Sequence, residues 1–200
     1  GYDLPNTIDK NTLVVATSVS GNTIETITTL ESANKKNCKV IAFSSGGMIE
    51  SFCTKNNIEF RKLPQIHSPR ASFPSYVYSI LKTLNSIIPI TKQDIINSLE
   101  QLERTYEEIS STNLDDSNPS VNLANWITGT PVIYYPHGLE TVAIRFKNSL
   151  QENAKTHAIS ENVVESSHNG IVSWERPSSM VPIMIEGKDD HIKTKERWKI

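Results

Sequence analysis

A chain of 200 residues suffices for one large or two small domains, and its 20 basic and 22 acidic side chains nearly cancel. This balance argues against a nucleic-acid footprint or a membrane-surface patch, and no apolar run is long enough to span a bilayer. Cys38 and Cys53 are too few for a disulfide framework or a zinc site, which indicates a reducing cytoplasm.

Apolar runs and helical spacing alternate in the first half of the chain. We predict strands at Leu13–Thr17, Cys38–Ser44 and Ile58–Leu63. Helices are predicted from Ile24 and, after a Gly-Gly turn signal, from Met48. This alternation is typical of a parallel sheet with crossover helices. Residues 64–74 read as irregular, and we predict a long apolar helix after them that ends near Pro89.

The middle of the chain carries a capping box, Thr91-Lys-Gln-Asp94, which predicts the start of a further helix. The apolar residues of this helix form one narrow seam: Ile95, Leu99, Leu102, Tyr106 and Ile109. Because its other faces are charged, we expect a bridging helix or a dimer-contact helix. The polar, turn-rich residues 110–119 predict the main domain boundary.

The second half repeats the design of the first. We predict helices at 121–127 and from Leu139, a short helix at Ile171–Trp174, and strands at 132–135, 156–160 and 180–186. The expected fold is α/β, with two related subdomains that each hold a parallel sheet between helices. We expect one subdomain in residues 1–90, a linking helix and boundary in 91–117, and the other subdomain in 118–200. The start on Gly1 and the end inside a charged, helix-like stretch predict the middle part of a longer protein.

The stretch Ser18-Val-Ser-Gly-Asn-Thr-Ile-Glu-Thr26 joins the first predicted strand to the first predicted helix. Gly21 permits a tight turn, and the first helix amides and the helix dipole favour an anion there. Ser18, Ser20 and Thr23 add hydroxyl groups, while no lysine is present, so the pattern differs from the nucleotide P-loop. We expect a site for one small phosphate monoester. The alternative is that these Ser and Thr residues only cap a helix.

Two further side chains could carry chemistry. Glu152, in Gln151-Glu-Asn-Ala-Lys155, lies off the apolar stripe of the Leu139 helix. His168, in Glu165-Ser-Ser-His-Asn169, is predicted in a loop near the start of a short helix. Taken alone, Glu152 also fits a solvated helix residue and His168 a capping or surface histidine.

The order S-x-S-G-N-T-x-E-T, P-R-A-S, Q-E-N-A-K and E-S-S-H-N resembles the bifunctional phosphoglucose/phosphomannose isomerases of the sugar isomerase (SIS) superfamily. The resemblance covers nearly the whole chain, and it implies the three-layer, flavodoxin-like SIS fold. The S-G-N-T turn is shared with all SIS proteins. Pro69-Arg70-Ala71, followed by Glu152 and His168 in the right order, narrows the resemblance to this family.

The resemblance implies a role for each residue. Ser18, Ser20 and Thr23 bind the 6-phosphate, and Arg70 stabilises an enediolate. Glu152 moves a proton between C2 and C1, and His168 opens the sugar ring, entering the site from the partner subunit of a homodimer. The implied reaction interconverts glucose 6-phosphate or mannose 6-phosphate with fructose 6-phosphate through a cis-enediolate, in glycolysis and gluconeogenesis. It needs no metal and no cofactor.

The chain departs from the family at three points. A glycine-rich G-G-S segment that helps to hold the phosphate precedes this stretch in the family, and a lysine near the sugar follows it; neither is found here. Gly170 stands where an acidic residue is common. Two alternatives remain open: a non-catalytic SIS module that senses a sugar phosphate, and another SIS enzyme, such as a pentose-phosphate isomerase or an amidotransferase isomerase domain.

Overall fold

The fold is known from a computed structural model, which describes residues 1–198. The chain divides into two compact units, one from Gly1 to Asn97 and one from Ser98 onwards. Each unit contains a three-stranded sheet whose strands are all parallel. The predicted α/β class with two similarly built halves is therefore confirmed.

The first unit follows the predicted β-α-β-α-β order. Its elements are β1 (Leu13–Ser18), α1 (Ile24–Lys35), β2 (Lys39–Ser44), α2 (Gly47–Asn56), β3 (Glu59–Lys62) and α3 (Phe73–Thr83). The sheet order is β1-β2-β3, so both crossovers step in the same direction. Right-handed crossovers then place α1 and α2 on the same face of the sheet.

The two faces of this sheet are covered by different helices. Ala16 and Ala42, which are register partners, pack with Leu30 of α1 and Ile49 of α2. Side chains alternate along a strand, so the neighbouring positions point to the other face. There, Ile41 and Phe43 pack against Tyr76 of α3. The first unit is thus a three-layer arrangement, helix, sheet and helix.

The predicted capping box starts α4 (Lys92–Ile109). The backbone N–H of Thr91 donates to the Asp94 carboxylate at 2.8 Å, and the N–H of Asp94 donates to the Thr91 hydroxyl at 3.1 Å. The Thr91 hydrogen bonds lower the pKa of Asp94. Among the described residues, no member of α4 is buried, and its seam is open, with Tyr106 68% exposed. The division between the two units falls inside this helix.

The second unit is built around β4. Its elements are α5 (Pro119–Trp126), β4 (Thr130–Tyr135), α6 (Glu140–Ser149), a π-helical turn (Leu150–Ala154), β5 (Ile159–Asn162), α7 (Val163–Ser166), a 3-10 helix (Gly170–Glu175), β6 (Met180–Met184) and α8 (Ile192–Arg197). The sheet order is β5-β4-β6. The connection from β5 to β6 therefore passes over the central strand.

Several predicted boundaries were wrong. The predicted strand at 156–160 begins only at Ile159, because the end of the π-helical turn extends into this segment: Lys155 is left-handed and Thr156 N–H donates to the Leu150 carbonyl at 3.4 Å. The long apolar helix ends at Thr83 rather than near Pro89, since the polar Asn85-Ser86 pair follows and favours a turn.

Two features of the second unit were not predicted. The helix α7 contains Glu165, where the sequence predicts a loop, and the π-helical turn continues α6. Asn162 at the end of β5 caps α7 by accepting from the N–H of Val164 at 2.9 Å. Within residues 1–198, no helix combines the length and apolar character needed to cross a membrane.

Candidate sugar-phosphate site

The turn from Ser18 to Thr23 lies where the sequence predicts it, between the carboxyl end of the parallel strand β1 and the amino end of α1. Thr23 is the N-cap of α1, and among the described residues no side chain caps this helix. Helix N-terminal amides without internal partners are the donors that an anion takes up.

The hydroxyl groups of the turn have different environments. Ser18 is buried, and its hydroxyl lies 2.8 Å from that of Thr23 and accepts the N–H of Gly21 at 3.1 Å. Ser20 and Thr23 are exposed, and the Ser20 hydroxyl accepts the N–H of Asn22 at 3.2 Å. Ser18 therefore braces the turn from inside, while Ser20 and Thr23 present hydroxyls at its surface.

A second turn, after β2, packs against the first one and holds its backbone in position. A Cβ atom on Gly21 would lie 1.8 Å from the carbonyl oxygen of Gly46, so only glycine fits there. The N–H of Ile49 donates to the Gly21 carbonyl at 3.0 Å. The side-chain oxygen of Asn22 accepts the N–H of Met48, in the first turn of α2, also at 3.0 Å. Asn22 was not among the predicted site residues, although its place in S-G-N-T was visible.

The last row of the sheet brings Ser18, Ser44 and Lys62 into register. The buried Ser44 hydroxyl donates to the Gly46 carbonyl at 2.6 Å and accepts the Gly46 N–H at 2.9 Å, which shapes the second turn. Lys62 is held by Glu50 of α2 at 3.0 Å to both carboxylate oxygens. This surface ion pair balances the lysine charge beside the turns, and such pairs add little stability.

Arg70 also belongs to the first unit. It is exposed on the loop that follows β3, in a turn just before α3. The loop includes His67, which has a positive φ of 46°. Thus the first unit carries Ser18, Ser20, Thr23 and Arg70, all in connections that leave the carboxyl ends of its strands.

Glu152 and His168 belong to the second unit, at opposite ends of β5. Glu152 is exposed in the π-helical turn, whose Gln151 donates to the carbonyl of Ala158, directly before β5, at 3.4 Å. His168 is exposed after α7, which follows the carboxyl end of β5, and its N–H donates to the Glu165 carbonyl at 3.0 Å. Because the strand separates them, topology places Glu152 at the amino edge and His168 at the carboxyl edge of this sheet.

Comparison with known proteins shows what the chain is similar to. Residues 116–200 match the sequence model described as the bacterial phospho-glucose isomerase C-terminal SIS domain. Over all of its length, the chain is 30% identical to a bifunctional phosphoglucose/phosphomannose isomerase of Caldicellulosiruptor bescii, of which it covers 61%. The chain is thus similar over its whole length to a bifunctional phosphoglucose/phosphomannose isomerase, and residues 116–200 carry the C-terminal SIS domain of the bacterial phospho-glucose isomerases.

Two further comparisons show how the family relates to its neighbours. A D-glucosamine-6-phosphate 4-epimerase of Sulfolobus acidocaldarius is 30% identical over 89% of the chain, which covers 56% of that protein. A glucosamine-6-phosphate deaminase from Thermotoga maritima superposes with a TM-score of 0.68 at 15% identity, over 98% of this chain and 59% of that one. The structural likeness confirms the predicted SIS fold. The chain spans about 60% of the length of these sequence relatives.

The second unit also has a cavity of about 270 Å³. It is lined mainly by Tyr134, Trp174, Trp198 and Met184, with Ser166 and Ser167 from the E-S-S-H-N motif. The Trp174 indole N–H donates to the Tyr134 hydroxyl at 2.9 Å. The pKa of Tyr134 is raised above its ordinary value, mainly by burial. The hydrogen bond from Trp174 lowers it in part, and the nearby Glu161 raises it further. None of the predicted catalytic residues lines this cavity.

Within residues 1–198, no group of three His, Cys, Asp or Glu side chains is arranged to hold a metal ion. Proton transfer by a carboxylate and charge stabilisation by an arginine are the chemistry that the site residues offer.

Proposed function

We propose that the protein containing this chain is an aldose–ketose isomerase that interconverts glucose 6-phosphate or mannose 6-phosphate with fructose 6-phosphate. The observation that carries this proposal is the Ser18–Thr23 turn, with uncapped α1 amides and two exposed hydroxyls beside them. Such a site suits a phosphate monoester. The names of most sequence relatives specify this pair of activities.

In this mechanism, the phosphate at the turn anchors the substrate and Glu152 removes the proton from C2 of the open-chain aldose. Arg70 stabilises the negative oxygen of the resulting cis-enediolate, since a fixed guanidinium lowers the cost of charge that develops in the transition state. Glu152 then returns the proton to C1, while the proton of the O2 hydroxyl passes to O1, which gives the ketose. Loss of stereochemistry at C2 in the enediolate lets the glucose and mannose phosphates share one site.

His168 is proposed to move the hydroxyl proton during ring opening, and to do so in the site of a partner subunit. The separation of Glu152 and His168 by β5 supports this arrangement, because one chain then offers the two residues at different edges of its sheet. We propose a homodimer for this reason. The two cysteines, both free in the structure, support a cytoplasmic location.

Exchange of the C2 hydrogen of glucose 6-phosphate with deuterated water tests the proposal in the complete protein. We expect wild-type protein to exchange this hydrogen and to form fructose 6-phosphate. Glu152→Gln keeps the size and removes the basicity, so exchange and turnover should collapse while sugar-phosphate binding persists. Glu103→Gln, which changes an exposed carboxylate on α4, should keep wild-type exchange. A Glu152→Gln variant that exchanges at the wild-type rate would remove Glu152 from the mechanism.

A second candidate is suggested by the relative named D-glucosamine-6-phosphate 4-epimerase. Epimerisation at C4 of an amino-sugar phosphate could use the same phosphate turn but would leave the C2 hydrogen in place. Incubation of the complete protein with glucosamine 6-phosphate, followed by carbon NMR, separates the two activities. A protein that binds both sugar phosphates and converts neither would be a sensor rather than an enzyme.

A further inference from the structure

Ser72 has an unusual position for a serine, since its side chain is fully buried directly before α3. Its hydroxyl accepts the N–H of Ile66 at 3.1 Å and lies 3.0 Å from the carbonyl oxygen of Ser68, to which it donates. The N–H of Ser72 also donates to the Ser68 carbonyl at 3.1 Å. One serine therefore ties together both sides of the loop that surrounds it.

This closed loop holds Arg70. Arg70 lies between Ser68 and Ser72, and the N–H of Phe73 donates to its carbonyl at 3.4 Å. The backbone on either side of the arginine is thus fixed by bonds that meet at Ser72. The side chain of Arg70 is exposed, and these backbone bonds fix the position of the Cα atom from which it extends.

The same segment is joined to the phosphate turn through α3. Tyr76, one turn beyond Ser72, is buried against Ile41 and Phe43 of the sheet. Its hydroxyl donates to the carbonyl oxygen of Val19, inside the Ser18–Thr23 turn, at 3.4 Å. A chain of contacts within the first unit therefore runs from the phosphate turn through Tyr76 and Ser72 to the Arg70 loop.

We propose that Ser72 is a positioning residue, which sets the distance between Arg70 and a phosphate held at the Ser18–Thr23 turn. The inference rests on the proposed isomerase function. A misplacement of about 1 Å can cost on the order of a hundredfold in rate, so a buried hydroxyl that fixes the loop has a large effect without touching substrate. Phosphate binding itself does not depend on it.

The test is a double-mutant cycle in the complete protein, with Ser72→Ala, Arg70→Ala and the two combined. Ser72→Ala should lower kcat for glucose 6-phosphate by about tenfold to a hundredfold and leave KM within about twofold. Arg70→Ala should lower kcat by about 10²–10³-fold, the range for removal of one oxyanion donor. In the Arg70→Ala background, Ser72→Ala should change kcat by less than about twofold, because its effect passes through the arginine.

Ser75→Ala is the matched control, since Ser75 is a half-buried serine in the first turn of the same helix, and it should retain wild-type kcat. If Ser72→Ala does not fold, Ser72→Cys keeps the shape of the side chain with a larger atom and weaker hydrogen bonds, and it enters the same cycle. The positioning role would be overturned if Ser72→Ala lowered kcat equally in the wild-type and Arg70→Ala proteins. It would also be overturned if Ser72→Ala raised KM without lowering kcat. A wild-type protein without isomerase activity would instead refute the proposed function.

Discussion

The side-chain oxygen of Asn22 accepts the backbone N–H of Met48 at 3.0 Å, so a residue of the turn after β1 caps the helix that follows β2. This bond joins two neighbouring strand-to-helix turns, which also touch where Gly21 meets Gly46. The S-G-N-T turn therefore depends on the second turn for its shape. Hydroxyls that face an anion can be held in place only if the backbone that carries them is held as well.

The first prediction concerns this bond. Asn22→Ala removes the acceptor from the Met48 N–H, so the phosphate turn should loosen and KM for fructose 6-phosphate should rise about tenfold, with a smaller effect on kcat. Steady-state kinetics of the complete protein measure both values. Asn85→Ala, which alters an exposed asparagine after α3, is the control and should leave KM unchanged. An Asn22→Ala enzyme with wild-type KM would show that the turn keeps its shape alone.

The second prediction compares alanine substitutions at two glycines. At one the added Cβ atom causes only backbone strain, and at the other it also collides with a neighbouring residue. Gly21 has φ of 72° and no room for a Cβ atom, whereas Gly138 has φ of 88° and no atom of residues 1–198 within 4 Å of the place where its Cβ atom would lie. Gly138→Ala should cost only the left-handed strain, about 1–2 kcal/mol of unfolding free energy. Gly21→Ala should cost more than about 3 kcal/mol, because the backbone carbonyl of Gly46 must also move.

Urea unfolding of both glycine variants provides the measurement. Equal losses for Gly21→Ala and Gly138→Ala would contradict close packing of the two turns. The same comparison tests the site, since a displaced Gly46 carbonyl should also weaken phosphate binding at the neighbouring turn.

The third prediction concerns the hydroxyl groups. Ser20→Ala combined with Thr23→Ala should raise KM for fructose 6-phosphate strongly, since each hydrogen bond to a charged group contributes about 1.5–3 kcal/mol. Ser18→Ala should differ: the buried hydroxyl bonds to Gly21 and Thr23, so its loss should lower the unfolding free energy as well. Kinetics and urea unfolding on both variants distinguish hydroxyls that bind the phosphate from one that supports the turn from inside. If the double variant kept the wild-type KM, the phosphate would not bind at this turn.

The sequence was sufficient for the order of elements from β1 to β3 in the first unit, because each of these elements has a strong local signal. The alternation of apolar runs at β1 and β2 with the helical spacing of α1 predicts parallel strands joined by crossovers, and the turn could be located from Ser18 to Thr23. The Thr91 capping box likewise identified the start of α4. Local chemistry was enough at these places, because the deciding contacts lie within a few residues.

Other features could not be predicted because they depend on contacts between distant residues. Asn22 caps a helix 26 positions further along the chain, and Tyr76 reaches Val19 across 57 positions. The late start of β5 depends on Lys155, which adopts a left-handed conformation. A lysine does not indicate this in the sequence, because non-glycine residues rarely have a positive φ. Spacing in the sequence carries no information on these bonds.

The fourth prediction uses the pKa of Tyr76, which burial raises. The unfolded chain ionises this phenol near pH 10, while the folded chain keeps it protonated to higher pH. The unfolded state then binds fewer protons, so stability is fully present below about pH 10 and falls as the pH rises further. Tyr76→Phe removes the ionisable phenol, so the unfolding free energy of this variant should fall less than that of the wild type between about pH 9 and 11. Urea unfolding at neutral pH measures separately the effect of losing the bond to Val19.

The last prediction concerns the proposed dimer. Glu152 and His168 lie at opposite ends of β5, and the open seam of α4 offers apolar surface. If each site takes its glutamate from one chain and its histidine from the other, Glu152→Gln and His168→Ala variants of the complete protein should each be inactive alone. In a mixed dimer, however, one site would combine the wild-type glutamate of one chain with the wild-type histidine of the other.

Random pairing of equal amounts of the two variants makes half of the dimers mixed and leaves half of their sites intact. Activity should then recover to roughly a quarter of the wild-type value after subunit exchange, for symmetric subunits. Exchange is verified by mass spectrometry of differently tagged chains, and a mixture of two Glu152→Gln preparations with different tags is the control that should stay inactive. A verified mixture of the two variants that remains inactive would place both residues in the site of one chain, because only a site shared between chains can be restored by exchange.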